Sequence, residues 1–123
     1  MAHETAWAMI RQERERQIKV EGWTPEHDDG HDGGDLLRAA VIYYQHAIHD
    51  GNISYRANNI PLGWPWGDRD WKPKDKVRDL VRAGALCLAE QERINRGFPT
   101  GHDAHVRQKL DLIVPALDAA LSA

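Results

Sequence analysis

The stretch PKDKVRDLVRAGALCLAEQERINR, residues 73–96, decides the fold of this chain. Its apolar residues recur with the 3.6-residue period of an α-helix, which predicts a helix with one buried face. Pro73 suits the first helical turn because it has no backbone N–H, and Gly97 marks the end. Gly84 and Ala85 leave a notch on the apolar face where another helix can approach closely. The stretch therefore predicts a long helix that packs against other helices.

Three further helices are predicted around it, over residues 4–20, 35–49 and 102–121. The second carries apolar side chains around more than half of its circumference, which indicates a central, mostly buried helix. The last one contains Pro115, which predicts a kink. No stretch alternates apolar and polar residues over six positions, so no strand is expected. We therefore predict an all-α chain: a single domain over residues 1–123, built as a small four-helix bundle with two long loops that contain Trp, Gly and Pro.

Composition excludes several classes of protein. The chain has 123 residues and a formal net charge of −3, so no overall basic field attracts duplex nucleic acid. The single cysteine, Cys87, excludes an internal disulfide and any CxxC zinc site, and its place on an apolar helix face predicts an inert core thiol. No apolar run approaches the ~20 residues that cross a bilayer, and the first residues, MAHETAWAMIRQERER, lack a signal-peptide pattern. We therefore expect a cytoplasmic protein without a membrane partner.

Four of the five Trp residues lie in the two predicted loops. They either close the open side of the bundle or line a pocket, and the sequence leaves both interpretations open. Exposed indole faces stack on nucleobases, each stack contributing ~1–3 kcal/mol, and nearby cations bind phosphates through charge-assisted hydrogen bonds. The predicted ligand-binding residues are Arg14, Trp23, His27, Arg38, Arg56, Trp64, Trp66, Arg69, Trp71 and Lys72.

Arg14 is notable because it falls on the helix face that also carries Trp7, Ile10 and Ile18. An inward guanidinium needs an anionic partner, which is either a carboxylate of the protein or a ligand. Alternatively, the stem of this side chain packs flat on the helix and its charged end reaches water.

A cluster of His and Asp residues in the first loop is a candidate metal site. Imidazole and carboxylate together favour Zn, Mn or Fe, and the candidate ligands are His27, Asp28, Asp29, His31 and Asp35. Acidic loops of this kind are also ordinary solvated turns and helix caps. We therefore expect no required cofactor and keep a divalent metal as an alternative.

Known hydrolase patterns are incomplete in this chain. Four of the seven His residues precede Asp, as in HD phosphohydrolases, but a dipeptide is a weak signal. All-α nucleotide pyrophosphohydrolases place Glu-x-x-Glu and Glu-x-x-Asp on two helices, so that carboxylates one turn apart share Mg²⁺. Here Glu13 and Glu15 are two positions apart, and the Glu-x-x-Asp from Glu26 to Asp29 lies in a loop. The broken pattern counts against Mg²⁺-dependent hydrolysis.

Three motifs carry a resemblance to a known group of proteins. The segments EGWT at 21–24, HDD at 27–29 and WKPK at 71–74 resemble a group of small proteins encoded by tailed bacteriophages and prophages. The likeness runs over residues 11–96, which is most of the chain. This resemblance implies a phage-type protein that acts in the cytoplasm of a host cell.

A narrower similarity links the first loop to the ryanodine-receptor repeat domain, whose first helix ends in Gly-Trp-Thr. The matching residues are 22–24 and Asp28-Asp29, followed by a looser match at 72–79, while His27 stands where that domain has Arg. This resemblance implies a pocket in which aromatic residues stack an adenine-type base.

The leading functional hypothesis is a phage-type protein that sequesters a small signalling nucleotide, such as a cyclic oligonucleotide or an ADP-ribose derivative, to counter host defence. A bundle of this size offers little concave volume, so we expect a homo-oligomer with pockets between subunits, formed through Gly84-Ala85 or the fourth helix. The alternatives are a metal-dependent nucleotide phosphohydrolase that uses the His and Asp residues of the first loop, and a protein-targeting inhibitor such as an anti-CRISPR.

Overall fold

The protein is mainly α-helical, as the sequence predicts. The structure, a computed structural model, describes residues 3–24, 26, 34–97 and 103–123. Within these ranges lie four α-helices: α1 (Glu4–Lys19), α2 (Asp35–Ile48), α3 (Lys76–Asn95) and α4 (Asp103–Leu121). None of these helices is long and apolar enough to cross a membrane.

Helix α3 is the centre of the fold because it contacts all three other helices. Its buried apolar residues meet side chains of α2 and α4 in one continuous core, which includes Leu36, Ala40, Leu80, Val81, Leu86, Val106, Ile113 and Leu117. Cys87 belongs to this core, and burial raises the pKa of its thiol to about 12. The prediction that Cys87 lies in the core is therefore confirmed.

Helix α3 begins three residues later than the sequence predicts. The helix does not begin at Pro73. Asp75 is its N-cap, and the side chain of Asp75 accepts a 2.8 Å hydrogen bond from the backbone N–H of Arg78. Such an N-cap satisfies one of the amide groups that the first helical turn leaves without a partner. The fourth helix runs through Pro115 as one element from Asp103 to Leu121.

The loop between α2 and α3 contains a small hairpin that the sequence does not predict. Strands β1 (Tyr55–Arg56) and β2 (Ile60–Pro61) pair antiparallel, with Tyr55 opposite Pro61. Asn58 and Asn59 form the turn with φ of 67° and 60°, a left-handed conformation that Asn tolerates better than most residues. Strands of two residues are too short to show an alternating pattern, which is why sequence analysis finds none.

The notch at Gly84 is filled by α1 of the same chain. A methyl group in place of the Gly84 hydrogen would lie 2.6 Å from Cδ1 and 2.7 Å from Cγ1 of Ile10. Ala85, beside it, is completely buried. The prediction that a helix approaches closely here is confirmed, but the expectation that Gly84-Ala85 joins two copies of the chain is wrong, because the surface is already covered.

We expect Gly84→Ala to lower the free energy of unfolding by ~1–2 kcal/mol. Overpacking against Ile10 costs about 1–3 kcal/mol, which exceeds the gain of about 1 kcal/mol that Ala brings to a helix interior. Urea denaturation followed by circular dichroism measures the change. In an Ile10→Ala background the added methyl has space, so the same substitution should become neutral or stabilising; a stabilising Gly84→Ala in the unmodified chain would contradict the close contact.

Candidate functional site

The loop aromatic residues form one packed cluster with α2. The ring of Tyr43 lies 4.7 Å from that of Trp71 and 5.6 Å from that of Trp64, centroid to centroid, and the two indoles are 5.1 Å apart. Trp66 packs edge-on against Trp64 at 5.5 Å, and Trp23 lies 5.7 Å beyond Trp66. These separations are those of favourable aromatic pairs. The two loops are therefore joined by ring contacts.

The four indoles of this cluster differ in how deeply they are buried. Trp64 is 6% exposed and its Nε1 donates to the carbonyl oxygen of Gly67 at 3.1 Å, so it fills the interior and leaves no face open to a ligand. Trp66 and Trp71 are half-buried against the core. Trp23 is also half-buried, but its ring borders a cavity. Of the two interpretations left open by the sequence, the packing of Trp64 is that of a plug, whereas Trp23 lines a cavity.

Arg14 has an anionic partner within the protein. The side chain is 4% exposed, and its Nε and Nη2 atoms donate to Oε1 of Glu92 at 3.0 and 2.8 Å. Its Nη1 donates to the carbonyl oxygen of Trp23 at 3.1 Å. The guanidinium thus ties the segment after α1 to α3.

A chain of ion pairs runs beside this contact. Glu13 accepts three hydrogen bonds: two from Arg16, at 2.9 and 2.8 Å, and one from Arg78 of α3, at 2.9 Å. Arg16 also donates to Glu21 at 3.1 Å, and the other oxygen of Glu21 lies 3.5 Å from the Nζ of Lys72. Burial by itself raises the pKa of both carboxyl groups, but the neighbouring cations outweigh it and hold both pKa values below the ordinary one. Both groups are therefore charged near neutral pH.

A cavity of about 80 Å³ lies between this ion-pair chain and the aromatic cluster. Trp23 and Tyr43 form aromatic parts of its wall, and Leu86 of α3 an apolar one. The charged side chains that line it are Glu13, Arg16, Glu21, Asp70, Lys72 and Arg82. The cavity thus combines aromatic surface with charges of both signs.

Two polar atoms on the cavity wall have unused hydrogen-bonding capacity. Gln17 is 1% exposed, and its Oε1 accepts no hydrogen bond from any residue that the structure describes. The Nη1 atom of Arg82 is buried and likewise donates to none of the described residues. A buried polar atom without a partner costs about 1–3 kcal/mol. Two residues of the cavity wall therefore each carry a buried polar atom without a partner among the described residues.

Tyr43 adds a third group. Its hydroxyl oxygen accepts a 3.1 Å hydrogen bond from the backbone N–H of Lys72, while its own proton is given to no residue in the described part of the chain. Burial raises the pKa of this phenol, so the hydroxyl keeps its proton. Tyr43, a residue of the cavity wall, therefore keeps an O–H group that donates to none of the described residues.

Two of the ten predicted ligand-binding residues line this cavity, Trp23 and Lys72. Arg56 pairs with Asp68 at 2.9 Å, and Arg69 is exposed in the same loop. Arg38 lies instead in a shallower concavity between the starts of α2 and α4, with His105 and Lys109. The three remaining indoles take part in the aromatic cluster, and Arg14 is held by Glu92.

Four of the predicted metal ligands lie outside the described residues: His27, Asp28, Asp29 and His31. His27 is also one of the predicted ligand-binding residues. Asp35 is the first residue of α2. Residues 3–24, 26, 34–97 and 103–123 contain no group of three or more His, Cys, Asp or Glu side chains that could hold a metal ion.

Sequence analysis missed Gln17, Tyr43 and Arg82. The sequence nevertheless contains a signal for Gln17. One helix face, with the spacing i, i+3, i+4, i+7, carries Ile10, Glu13, Arg14 and Gln17. This spacing predicts polar side chains on the buried side of α1. Tyr43 lies on the apolar face of α2, where the pattern alone predicts a core residue and gives no sign of a role for its hydroxyl. Nothing local distinguishes Arg82 from other arginines of α3.

We expect Glu13→Gln to lower the free energy of unfolding at pH 7 by ~1–3 kcal/mol, because the carboxylate takes three hydrogen bonds from two cations. The pKa of Glu13 is lowered in the folded state, so its stabilisation is complete above the ordinary value of 4.5 and is lost as pH falls through the folded pKa. Urea unfolding from pH 7 to pH 3 should therefore show a smaller acid loss in the variant.

The matched control is Glu15→Gln on the same helix, whose exposed carboxylate pairs with Lys19. Exposed pairs contribute little, so this variant should unfold almost as the unmodified chain does. Equal effects of the two substitutions would contradict the buried ion-pair arrangement.

No protein-family model, curated protein or solved structure matches this chain.

Proposed function

We propose that this protein binds a small nucleotide and holds it without turnover, as a protein that sequesters a signalling nucleotide would. The observation that carries the proposal is a cavity whose wall combines the aromatic residues Trp23 and Tyr43 with charged side chains of both signs. Aromatic walls with a few convergent polar groups are typical of small-molecule sites.

The volume of the cavity limits which part of a nucleotide can enter it. One water needs ~10–15 Å³, so about 80 Å³ accommodates a planar ring or its edge, whereas sites that enclose whole ligands span roughly 300–1,000 Å³. The ribose and phosphates would therefore lie outside. Lys72 is placed for a phosphate because its side chain is 56% exposed and its 3.5 Å contact with Glu21 is long.

The ionisation state and the types of the residues that line the cavity support binding without turnover. A general base works best with a pKa near the operating pH, but Glu13 and Glu21 have lowered pKa values and are held by cations. Among the described residues of the cavity wall, none is Ser, Thr, Cys or His. This lining suits recognition better than catalysis.

We further propose that the four helices form a bundle and that the protein acts as a homo-oligomer. A cavity of about 80 Å³ covers only part of a nucleotide. A second copy would supply the surface that encloses the remainder and would allow tight binding. The phage-type role in countering host defence belongs to the same proposal.

Isothermal titration calorimetry with AMP, GMP, ADP-ribose and a cyclic dinucleotide tests the function. We expect binding of at least one ligand without added divalent ions, and chromatography should recover it intact. Arg82→Met should weaken the affinity by about 10- to 150-fold, the equivalent of ~1.5–3 kcal/mol for a hydrogen bond to a charged group. Thermal unfolding of the variant checks that the fold is kept.

Arg107→Met is the matched control, since Arg107 is exposed on α4 and outside the cavity lining, and it should leave the affinity unchanged. Release of phosphate or nucleoside monophosphate with Mn²⁺ or Zn²⁺ would instead support the phosphohydrolase. Failure of every nucleotide to bind, with a stable complex with a host protein, would support the protein-targeting inhibitor.

A further inference from the structure

We infer that Asp79 and His46 are positioning residues: together they fix the backbone that carries Lys72, so that Lys72 contacts the phosphate of the bound nucleotide. This inference rests on the proposed function and adds the residues that prepare its phosphate contact. The backbone in question belongs to residues 71–74, with the sequence WKPK, which we call the WKPK segment.

Asp79 of α3 is a buried carboxylate with both oxygens engaged. Its side chain is 1% exposed, and its Oδ2 atom lies 2.7 Å from Nδ1 of His46 on α2. Its other oxygen, Oδ1, accepts a 2.8 Å hydrogen bond from the backbone N–H of Lys74. Hydrogen bonds to a charged group are stronger than those between neutral groups. Asp79 therefore holds the end of the WKPK segment against α3.

Two aromatic side chains of α2 hold the beginning of the same segment. The imidazole ring of His46 packs edge-on against Trp71 at 5.2 Å between centroids, and the ring of Tyr43 lies 4.7 Å from the same indole. The hydroxyl oxygen of Tyr43 also accepts the backbone N–H of Lys72 at 3.1 Å. The WKPK segment is thus anchored at Trp71, Lys72 and Lys74.

Proline restricts the backbone between these anchors. Pro73 fixes its own φ at about −65°, and a residue that precedes proline favours an extended conformation. Trp71 is extended as well, with φ of −80° and ψ of 109°. The backbone of Lys72 is therefore held on both sides, and this preorganisation lowers the entropy cost of a contact with a ligand.

The side chain of Lys72 is the cation that this arrangement presents. It lines the cavity and is 56% exposed, with a 3.5 Å contact to Glu21. Lys74 belongs to the same segment and is exposed, but it is not among the described residues that line the cavity. We therefore assign the phosphate contact to Lys72 and its placement to the anchors.

Salt dependence of binding distinguishes a placed Lys72 from a general effect on folding, because salt screens an exposed contact between charges. The test is calorimetry with AMP, GMP, ADP-ribose and a cyclic dinucleotide at low and at high sodium chloride concentration. We expect Lys72→Met to weaken binding about 5- to 10-fold at low salt and to remove most of the salt dependence. Arg107→Met should leave both unchanged.

Two substitutions of Asp79 form a matched pair because both remove its charge. Asp79→Leu removes the acceptor of the Lys74 N–H, whereas in Asp79→Asn an amide oxygen still accepts it and the amide N–H donates to neutral His46. We expect Asp79→Leu to reproduce the losses of Lys72→Met and Asp79→Asn to restore most of the affinity. The double variant Lys72→Met/Asp79→Leu should bind no more weakly than Lys72→Met, since both changes act on one contact.

Urea unfolding establishes which variants are folded. If Asp79→Leu is not, His46→Leu takes its place, because it removes the hydrogen-bond partner of Asp79 and the ring edge that packs on Trp71. It should weaken binding with the same loss of salt dependence. His49→Leu, at the exposed C-cap of α2, is its control and should bind as the unmodified chain does.

Full affinity in Asp79→Leu, or in His46→Leu if it replaces that variant, would overturn the positioning role. Equal losses in Asp79→Leu and Asp79→Asn, additive losses in the double variant, or a loss that leaves the salt dependence unchanged would overturn it as well. Full affinity in Lys72→Met would do the same and leave the proposed nucleotide binding intact. Failure of all four nucleotides to bind would refute the proposed function itself.

Discussion

The close contact between Ile10 of α1 and Gly84 of α3 is the constraint on which the rest of the structure depends. Because the two helices meet without an intervening Cβ atom, the next turn of α1 is held directly against α3. The next two turns of α1 carry Glu13, Arg14 and Gln17 on this face, all buried. A polar helix face is thus forced into the interior, and its groups must find partners there.

The polar side chains on this face of α1 form hydrogen bonds with residues that are distant in sequence. Arg78 and Glu92 of α3 bind Glu13 and Arg14 respectively. Buried ion pairs of this kind contribute little net stability compared with apolar packing, because desolvation offsets the attraction. Their structural effect is to fix position: Arg14 holds the backbone of Trp23, and Glu13 orients Arg16. These contacts fix the positions of Trp23 and Arg16, which line the cavity.

Tyr43 connects the hydrophobic core with this polar region. Its ring packs against Trp64 and Trp71, while its hydroxyl receives the backbone N–H of Lys72 at the cavity. The aromatic cluster therefore serves as a rigid support, and few of its rings are open to a ligand. Gln17 and Arg82 are the wall groups whose hydrogen-bonding capacity this packing leaves unused within the described residues.

The sequence by itself determined the helical class and the approximate bounds of all four helices, because helix periodicity and terminal Gly, Pro and Asp residues act over a few neighbouring positions. It also singled out Trp23 and Lys72, which line the cavity, and found the notch at Gly84. Which polar groups are paired and which remain unsatisfied was decided by tertiary structure alone. Arg14 and Glu92 are 78 positions apart, and no local pattern encodes that meeting. The site emerges from Gln17, Tyr43 and Arg82 only when three helices bring them to one cavity.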